Sequence, residues 1–164
     1  MSEERDRYIR LLRTAGCSAS LIRHCSVVAA TAAALSEKSP FFDDDLVKAG
    51  ALLHDLGRSV AHGIGHAQAG ADLCRSLGLD EDLARIVECH TGAGLTADEC
   101  IQLGLLPIDC MPSTPESALV ACADNLVRGE QVITIEERLE MAYALNRTVR
   151  MRMYRQHQYL QMLR

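Results

Sequence analysis

Apolar residues in this chain recur at spacings of three and four along most of its length, and alternation of apolar and polar residues is almost absent. Spacings of three and four place side chains on one face of an α-helix, whereas alternation is the pattern of a half-buried strand. The sequence therefore predicts an all-α fold, with no clear candidate for a strand.

Capping residues and helix-ending glycines divide this pattern into eight predicted helices. Ser18 is suited to cap the second helix, the acidic run at 43–45 favours the start of the third, and Gly57 is expected to end it. The predicted bounds are 3–14, 19–36, 43–56, 66–77, 80–90, 96–103, 115–127 and 135–163. The connection over 91–115 contains three prolines, and we expect it to contribute to the rim of a pocket.

Length and composition predict one globular domain over residues 1–164. With 48% hydrophobic and 24% charged residues, a chain of 164 residues supports one core and is too short for two ordinary domains. No apolar run approaches the ~18 residues of a membrane helix, and the charged first residues are unlike a signal peptide. We therefore expect a cytoplasmic protein with no membrane partner. A net charge of −5 argues against binding to a nucleic-acid polymer.

The seven cysteines are expected to be reduced and buried. Their number is odd, no two form a Cys-x-x-Cys pair, and most have apolar neighbours. Candidate metal ligands are therefore sought among the histidines and acidic residues.

A His-Asp pair, His54 and Asp55, lies near the end of the strongly apolar third helix. An unpaired buried carboxylate is costly, and a cation bound by both side chains would offset that cost. For this pair alone, exposure to solvent at the helix end explains the sequence equally well. Further residues of ligand type fall on inner faces or at ends of other predicted helices: His24, His66, His90 and Asp124. Six residues placed in this way favour a metal centre.

The order of these six residues resembles that of the HD-domain superfamily of metal-dependent phosphohydrolases. The resemblance covers about 20–130 and is carried by Leu-Leu-His-Asp-Leu-Gly-Arg at 52–58, His-Ala-Gln-Ala-Gly-Ala at 66–71, Ile-Val-Glu-Cys-His-Thr at 86–91 and Ala-Cys-Ala-Asp-Asn at 121–125. The chain looks most like the small stand-alone archaeal and bacterial members. This implies a single bundle of about six to eight helices, with the helix at 135–163 packing on the motif core.

The same resemblance implies a ligand set for two divalent ions. His24, His54, Asp55 and Asp124 would hold the first ion, and Asp55 would bridge to a second ion completed by His66 and His90. Imidazole and carboxylate ligands suit iron or manganese, with zinc, cobalt or nickel as further candidates, better than magnesium alone. Two ions ~3.5–4 Å apart can hold a hydroxide and polarise a phosphoryl oxygen. The implied reaction is hydrolysis of a small phosphate ester, such as a nucleotide, dinucleotide or cyclic phosphate.

Asp55, Arg58 and His62 are the predicted catalytic residues. Arg58 stands where many relatives have Lys, and its guanidinium suits bidentate binding of a substrate phosphate. His62 is a candidate hydrogen-bond donor to the phosphate or proton donor to the leaving group, with a metal ligand or a surface residue as alternatives.

Three further residues are predicted to contact substrate. Thr91 belongs to a glycine-containing loop that could present backbone amides to an anion. Thr91 also occupies the place where relatives with three metals have a second histidine, so a third ion is not expected. Asn125 and Arg128 follow Asp124 by one and four residues, which places them near the same pocket.

The C-terminal segment combines a basic face with an apolar stripe. We expect it to pack on the core or to form a homodimer contact, with arginines 147, 150, 152 and 155 in solvent, rather than to form a polyanion site. Two alternative functions stay open. One is a mixed-valence di-iron oxygenase with a similar ligand set, and the other is a non-catalytic ligand-sensing module.

Overall fold

The computed structural model describes residues 2–163, which form nine α-helices, one 3₁₀ turn and one short β-hairpin. The helices are α1 (Ser2–Thr14), α2 (Ala19–Ser36), α3 (Asp44–Leu53), α4 (His66–Ser76), α5 (Glu81–Cys89), α6 (Ala97–Gln102), α7 (Pro115–Asn125), α8 (Ile135–Met141) and α9 (Arg147–Met162). The 3₁₀ turn covers Leu56–Ser59, and β1 (Val127–Arg128) pairs antiparallel with β2 (Gln131–Val132). The predicted all-α class is confirmed.

Side-chain caps begin several helices at the predicted positions. The Ser18 hydroxyl accepts a hydrogen bond from the backbone N–H of Leu21, and the Asp43 carboxylate accepts two at the start of α3. Thr96 and Thr114 each form a capping box that begins α6 and α7. These bonds satisfy backbone donors that the first turn of a helix leaves free.

The third helix ends at Leu53, three residues earlier than predicted. After His54 and Asp55 the chain enters the 3₁₀ turn, where Gly57 lies against the backbone of α4. A continued α-helix would carry Gly57 away from this contact. The early end therefore brings the His-Asp pair against the first turn of α4.

The predicted final helix over 135–163 is wrong in one respect, since the chain breaks it into α8 and α9. The Asn146 side chain accepts a hydrogen bond of 2.8 Å from the backbone N–H of Thr148, so Asn146 caps a new helix. The break shifts the helical phase. Met153 and Leu160 are buried, whereas Met141 and Leu145, predicted on the same stripe, are exposed.

The hairpin was not predicted. Gly129 has a positive φ of 61° in a two-residue turn between β1 and β2, a conformation that favours glycine. An ion pair of 2.7 Å between Arg23 and Glu130 ties this turn to α2. The hairpin thus closes one side of the bundle next to α2.

The two largest of four apolar clusters form most of the core. The larger joins α2, α3, α5 and α7 through residues such as Val28, Val47, Ile86, Leu119 and Val120. The smaller joins α1, α3 and α5 through Leu12, Leu53, Leu83 and Val87. All seven cysteines are free and buried, as predicted.

By length and composition alone, α2 could cross a membrane, contrary to the expectation that no apolar run is long enough. Much of its apolar character comes from alanine, which fills its second half. Within the fold, α2 contributes Ile22, Cys25 and Val28 to the core, and its Arg23 pairs with the hairpin. These contacts pack one face of α2 against the rest of the bundle.

We predict that Gly57→Ala strongly destabilises the fold. A Cβ at this position would lie 1.9 Å from the carbonyl oxygen of His66 and 2.4 Å from the backbone nitrogen of Gly70, and neither backbone atom can yield without moving α4. We expect the free energy of unfolding to fall by about 3 kcal/mol or more, measured by urea denaturation of metal-free protein.

Gly65→Ala is the matched control, because its Cβ would meet only Leu105 Cδ2 at 3.5 Å, an ordinary contact. We expect it to cost less than about 1 kcal/mol. Equal stability of the two variants would contradict the close approach of the 3₁₀ turn and α4.

Candidate metal centre

The six predicted metal ligands meet at one end of the helical bundle. His24 lies on α2, His54 and Asp55 follow α3, His66 begins α4, His90 follows α5, and Asp124 lies in the last turn of α7. His54, Asp55, His66 and His90 are buried, and His24 and Asp124 are partly buried. The neighbouring imidazole rings are 4.9–5.3 Å apart between centroids.

Asp55 lies between two pairs of histidines. Its Oδ2 is 3.6 Å from His54 Nε2 and 4.0 Å from His24 Nε2. Its Oδ1 is 3.0 Å from His66 Nε2 and 3.6 Å from His90 Nε2. The two oxygens of one carboxylate therefore face different halves of the site.

Asp124 completes the first half. Its Oδ1 lies 3.1 Å from His24 Nε2 and 3.5 Å from His54 Nε2. One ligand atom from each of His24, His54 and Asp124 lies within 4.8 Å of the other two, close enough for one metal ion to contact all three. The same holds for His54, Asp55 and His90.

Each of the four histidines among the candidate ligands has its Nδ1 hydrogen-bonded to a backbone carbonyl. The bonds run from His24 to Gly129 (2.8 Å), His54 to Ala51 (2.8 Å), His66 to Gly63 (2.6 Å) and His90 to Val87 (2.6 Å). A carbonyl only accepts, so each Nδ1 carries the proton and donates it, which leaves the Nε2 lone pair directed at the other ligands. This is the tautomer that metal-ligating histidines adopt when the outer nitrogen is held by a backbone acceptor.

Several buried atoms lack the partners that burial requires. His66 Nε2 and His90 Nε2 are 3.1 Å apart, and with both Nδ1 atoms protonated their lone pairs face each other. His54 Nε2 and Asp55 Oδ1 are buried without a hydrogen bond, although Arg58 Nε lies 2.7 Å from Asp55 Oδ1. A cation would satisfy these atoms together, so the residues present fit a bound metal.

The electrostatics of the site also favour a cation. Burial tends to raise the pKa of Asp55, but His66 and His90 outweigh it and lower that pKa. For Asp124, His24 and His54 lower the pKa against the same effect of burial. Both carboxylates therefore stay ionised inside the protein.

The pKa values of the histidines shift in opposite directions, up for His24 and His54 and down for His90. Burial tends to lower the pKa of His54, but the Asp124 and Asp55 carboxylates raise it to about 9, and Asp124 raises the pKa of His24. Burial lowers the pKa of His90. Without metal, a proton on His54 therefore provides part of the positive charge that the two carboxylates require.

Arg58 and Thr91 lie beside the six residues. Arg58 is on the 3₁₀ turn with its side chain 40% exposed, so its guanidinium reaches both Asp55 and solvent. The Thr91 hydroxyl oxygen, next to His90, is buried and has no hydrogen-bond partner. Both positions agree with substrate contact, which stays a prediction for each.

The other predicted substrate residues are placed less favourably. His62 is exposed on the loop before α4, and Gly63, with φ of 81°, separates it from the helix that carries His66. Asn125 is buried, and its amide donates to the Gly92 carbonyl and accepts from Arg138, so it ties the 91–94 loop to α8. Arg128 is exposed on β1.

Sequence reasoning missed the backbone part of the site. The carbonyl that holds His24 belongs to Gly129, in the turn of the unpredicted hairpin. The other three carbonyls each lie three residues before the histidine they hold. Only the glycine at 129 carried a signal, since a glycine between short polar segments indicates a turn.

The fold has relatives among known proteins. The family model of the HD domain matches residues 21–129. Among solved structures, the HD domain of the Listeria monocytogenes phosphodiesterase PgpH aligns with a TM-score of 0.51 at 16% identity, over 85% of this chain and 90% of that one. At this identity the likeness supports the fold.

Relatives with curated names include proteins of different lengths. An uncharacterized protein of Methanocaldococcus jannaschii is 46% identical over 74% of each chain. A tRNA (cytidine(56)-2′-O)-methyltransferase of Thermoplasma volcanium is 43% identical over 77% of this chain but 37% of its own length. Ribonuclease Y of Acidothermus cellulolyticus is 32% identical over 63% of this chain and 22% of its own. The family model covers most of the chain, and we conclude that the protein belongs to the HD-domain family.

Proposed function

We propose that this protein is a phosphohydrolase or phosphodiesterase that cleaves a small phosphate ester, such as a nucleotide, dinucleotide or cyclic phosphate. The observation that carries the proposal is the direction of four Nε2 atoms and two ionised carboxylates toward one buried centre. Such a donor set would have a use in hydrolysis, because the divalent ions that it would hold supply positive charge where a phosphoryl group develops negative charge.

Two divalent ions, iron or manganese, are the cofactors we infer. His24, His54, Asp124 and Oδ2 of Asp55 would hold one ion, while His66, His90 and Oδ1 of Asp55 would hold the other. The split of the Asp55 oxygens between the two histidine pairs supports this division. When bound, such ions supply Lewis-acid polarisation of a phosphoryl oxygen and lower the pKa of water.

Arg58 is proposed to bind the substrate phosphate. It already contacts the ligand cluster through Asp55 and has a part of its guanidinium in solvent. With Asp55 occupied by metal, the guanidinium can turn its paired N–H groups to two phosphate oxygens. His62 remains the proposed proton donor to the leaving group, from the exposed loop beside the site.

The proposed substrate is a small molecule, and the proposed location is the cytoplasm, with no membrane or nucleic-acid partner. The names of the methyltransferase and ribonuclease Y relatives refer to RNA, so RNA is the substrate class to test against. The net charge of −5 disfavours a long polyanion more than a small one. Formation of a homodimer also stays a proposal.

The direct test is a substrate panel with purified, metal-loaded protein. We expect hydrolysis of bis-p-nitrophenyl phosphate, a 2′,3′-cyclic nucleotide or a dinucleoside polyphosphate in the presence of iron(II) or manganese and none with chelator. Inactivity toward all of them with the site fully loaded would contradict the proposal. Preferred cleavage of a short RNA would contradict only the proposal that the substrate is a small molecule. Oxygen consumption would favour the alternative of an oxygenase.

We predict that Arg58→Ala lowers kcat/KM for the best substrate by about 10–100-fold, the value of one charge-assisted hydrogen bond. Arg58→Lys should retain more activity, because it keeps the charge but loses the paired N–H groups. Arg10→Ala is the control, since Arg10 is exposed on α1 outside the site. Equal kcat/KM for Arg58→Ala and the control would remove Arg58 from the reaction.

Metal binding should also stabilise the fold. A metal at 100 times its Kd adds about 2.7 kcal/mol, so we expect the Tm to rise by roughly 5 °C or more on loading. Asp55→Asn should lose most of that rise, because the variant removes the charge shared by both halves of the site. Asp72→Asn, with its side chain 71% exposed, should keep it. An equal rise for both variants in differential scanning fluorimetry would contradict the assigned ligands.

Metal affinity should depend on pH through His54. Its pKa of about 9 means that the metal-free protein carries a proton that the metal must displace. Affinity should therefore increase about tenfold per pH unit as pH rises toward 9 and level off above that value. Competition with a chelator between pH 6.5 and 9.5 measures the slope. An affinity independent of pH would show that His54 is not a ligand.

A further inference from the structure

A second cavity, of about 720 Å³, lies between α9 and the segment that leads into α7. None of the six candidate metal ligands lines it. Its volume is within the range of ~300–1,000 Å³ of pockets that bind small molecules.

Positive charge is concentrated in its lining. Arg147, Arg152 and Arg155 line the cavity, and no carboxylate does, in a chain whose net charge is −5. Arg152 is engaged, since its guanidinium forms bonds of 3.0 and 2.9 Å to Glu99. Arg147 and Arg155 are exposed, and neither forms an ion pair with another residue in the described range 2–163.

The two free arginines belong to a row along α9. Arg147, Met151, Arg155 and Tyr159 are spaced by four residues, so they share one face of the helix and line the cavity together. The opposite wall is largely apolar, with Met111, Pro112, Pro115 and Ala118. An anion at the arginines would therefore lie beside a surface that suits a flat apolar group.

We propose that this cavity binds a nucleoside monophosphate. The phosphate would pair with Arg147 and Arg155, and the base would lie along the apolar wall near Tyr159. This site is separate from the metal centre and does not depend on the reaction proposed there. Of the arginines expected to lie in solvent, Arg152 is instead bound to Glu99, whereas Arg147 and Arg155 are exposed as expected.

The test is calorimetric titration of metal-free protein with AMP, adenosine and inorganic phosphate. We expect AMP to bind more tightly than either fragment and its affinity to fall as salt is added, because the arginines are exposed. Arg147→Ala/Arg155→Ala should weaken AMP binding at least about tenfold. Arg155→Lys should weaken it less.

Two controls separate this site from charge effects and from the metal centre. Arg10→Ala/Arg13→Ala removes the same charge from exposed positions on α1 and should bind AMP like the wild type. Arg58→Ala should also bind normally. Unchanged AMP affinity in the Arg147/Arg155 variant, loss of binding in Arg58→Ala, phosphate binding as tight as AMP, or binding of short RNA without AMP would each overturn the proposal.

Discussion

Four Nδ1–H groups donated to backbone carbonyls determine which nitrogen of each histidine faces the centre of this protein. Three of those carbonyls lie three residues before their histidine, so the local backbone at the end or start of a helix fixes the tautomer. The remaining Nε2 atoms then meet two ionised carboxylates. The packing of the helices therefore brings together the segments that carry these histidines and carboxylates.

The direction of the helices adds to the field at the site. Among the helices in residues 2–163, α3, α5 and α7 end next to ligand residues of the site, and α4 begins with one. A helix C-terminus carries partial negative charge and an N-terminus partial positive charge, so the balance of the ends favours a cation. Gly57 makes the arrangement compact, because it allows the 3₁₀ turn to touch α4 and brings Asp55 to 3.0 Å from His66.

The parts predicted correctly are those with local signals. α2 begins and ends at the predicted residues, and the Ser18 cap accounts for its start. The break before Asn146 depends on one capping residue, within a segment whose apolar pattern continues across it. The hairpin lies between two predicted helices, and Gly129 was its one local signal. The types and order of the six candidate ligands predicted that they meet at one site. The hydrogen bonds of Asn125 could not be predicted, since its partners Gly92 and Arg138 are distant in sequence.

The central claim is that the Nε2 atoms of four histidines share cations with Asp55 and Asp124. Crystals grown anaerobically with manganese(II), measured at the manganese absorption edge, test it most directly. The account predicts two anomalous peaks, one bonded to Nε2 of His24 and His54, the other to Nε2 of His66 and His90, with Asp55 between them. Peaks bonded through Nδ1, or manganese bound elsewhere while these six side chains hold none, would contradict the account.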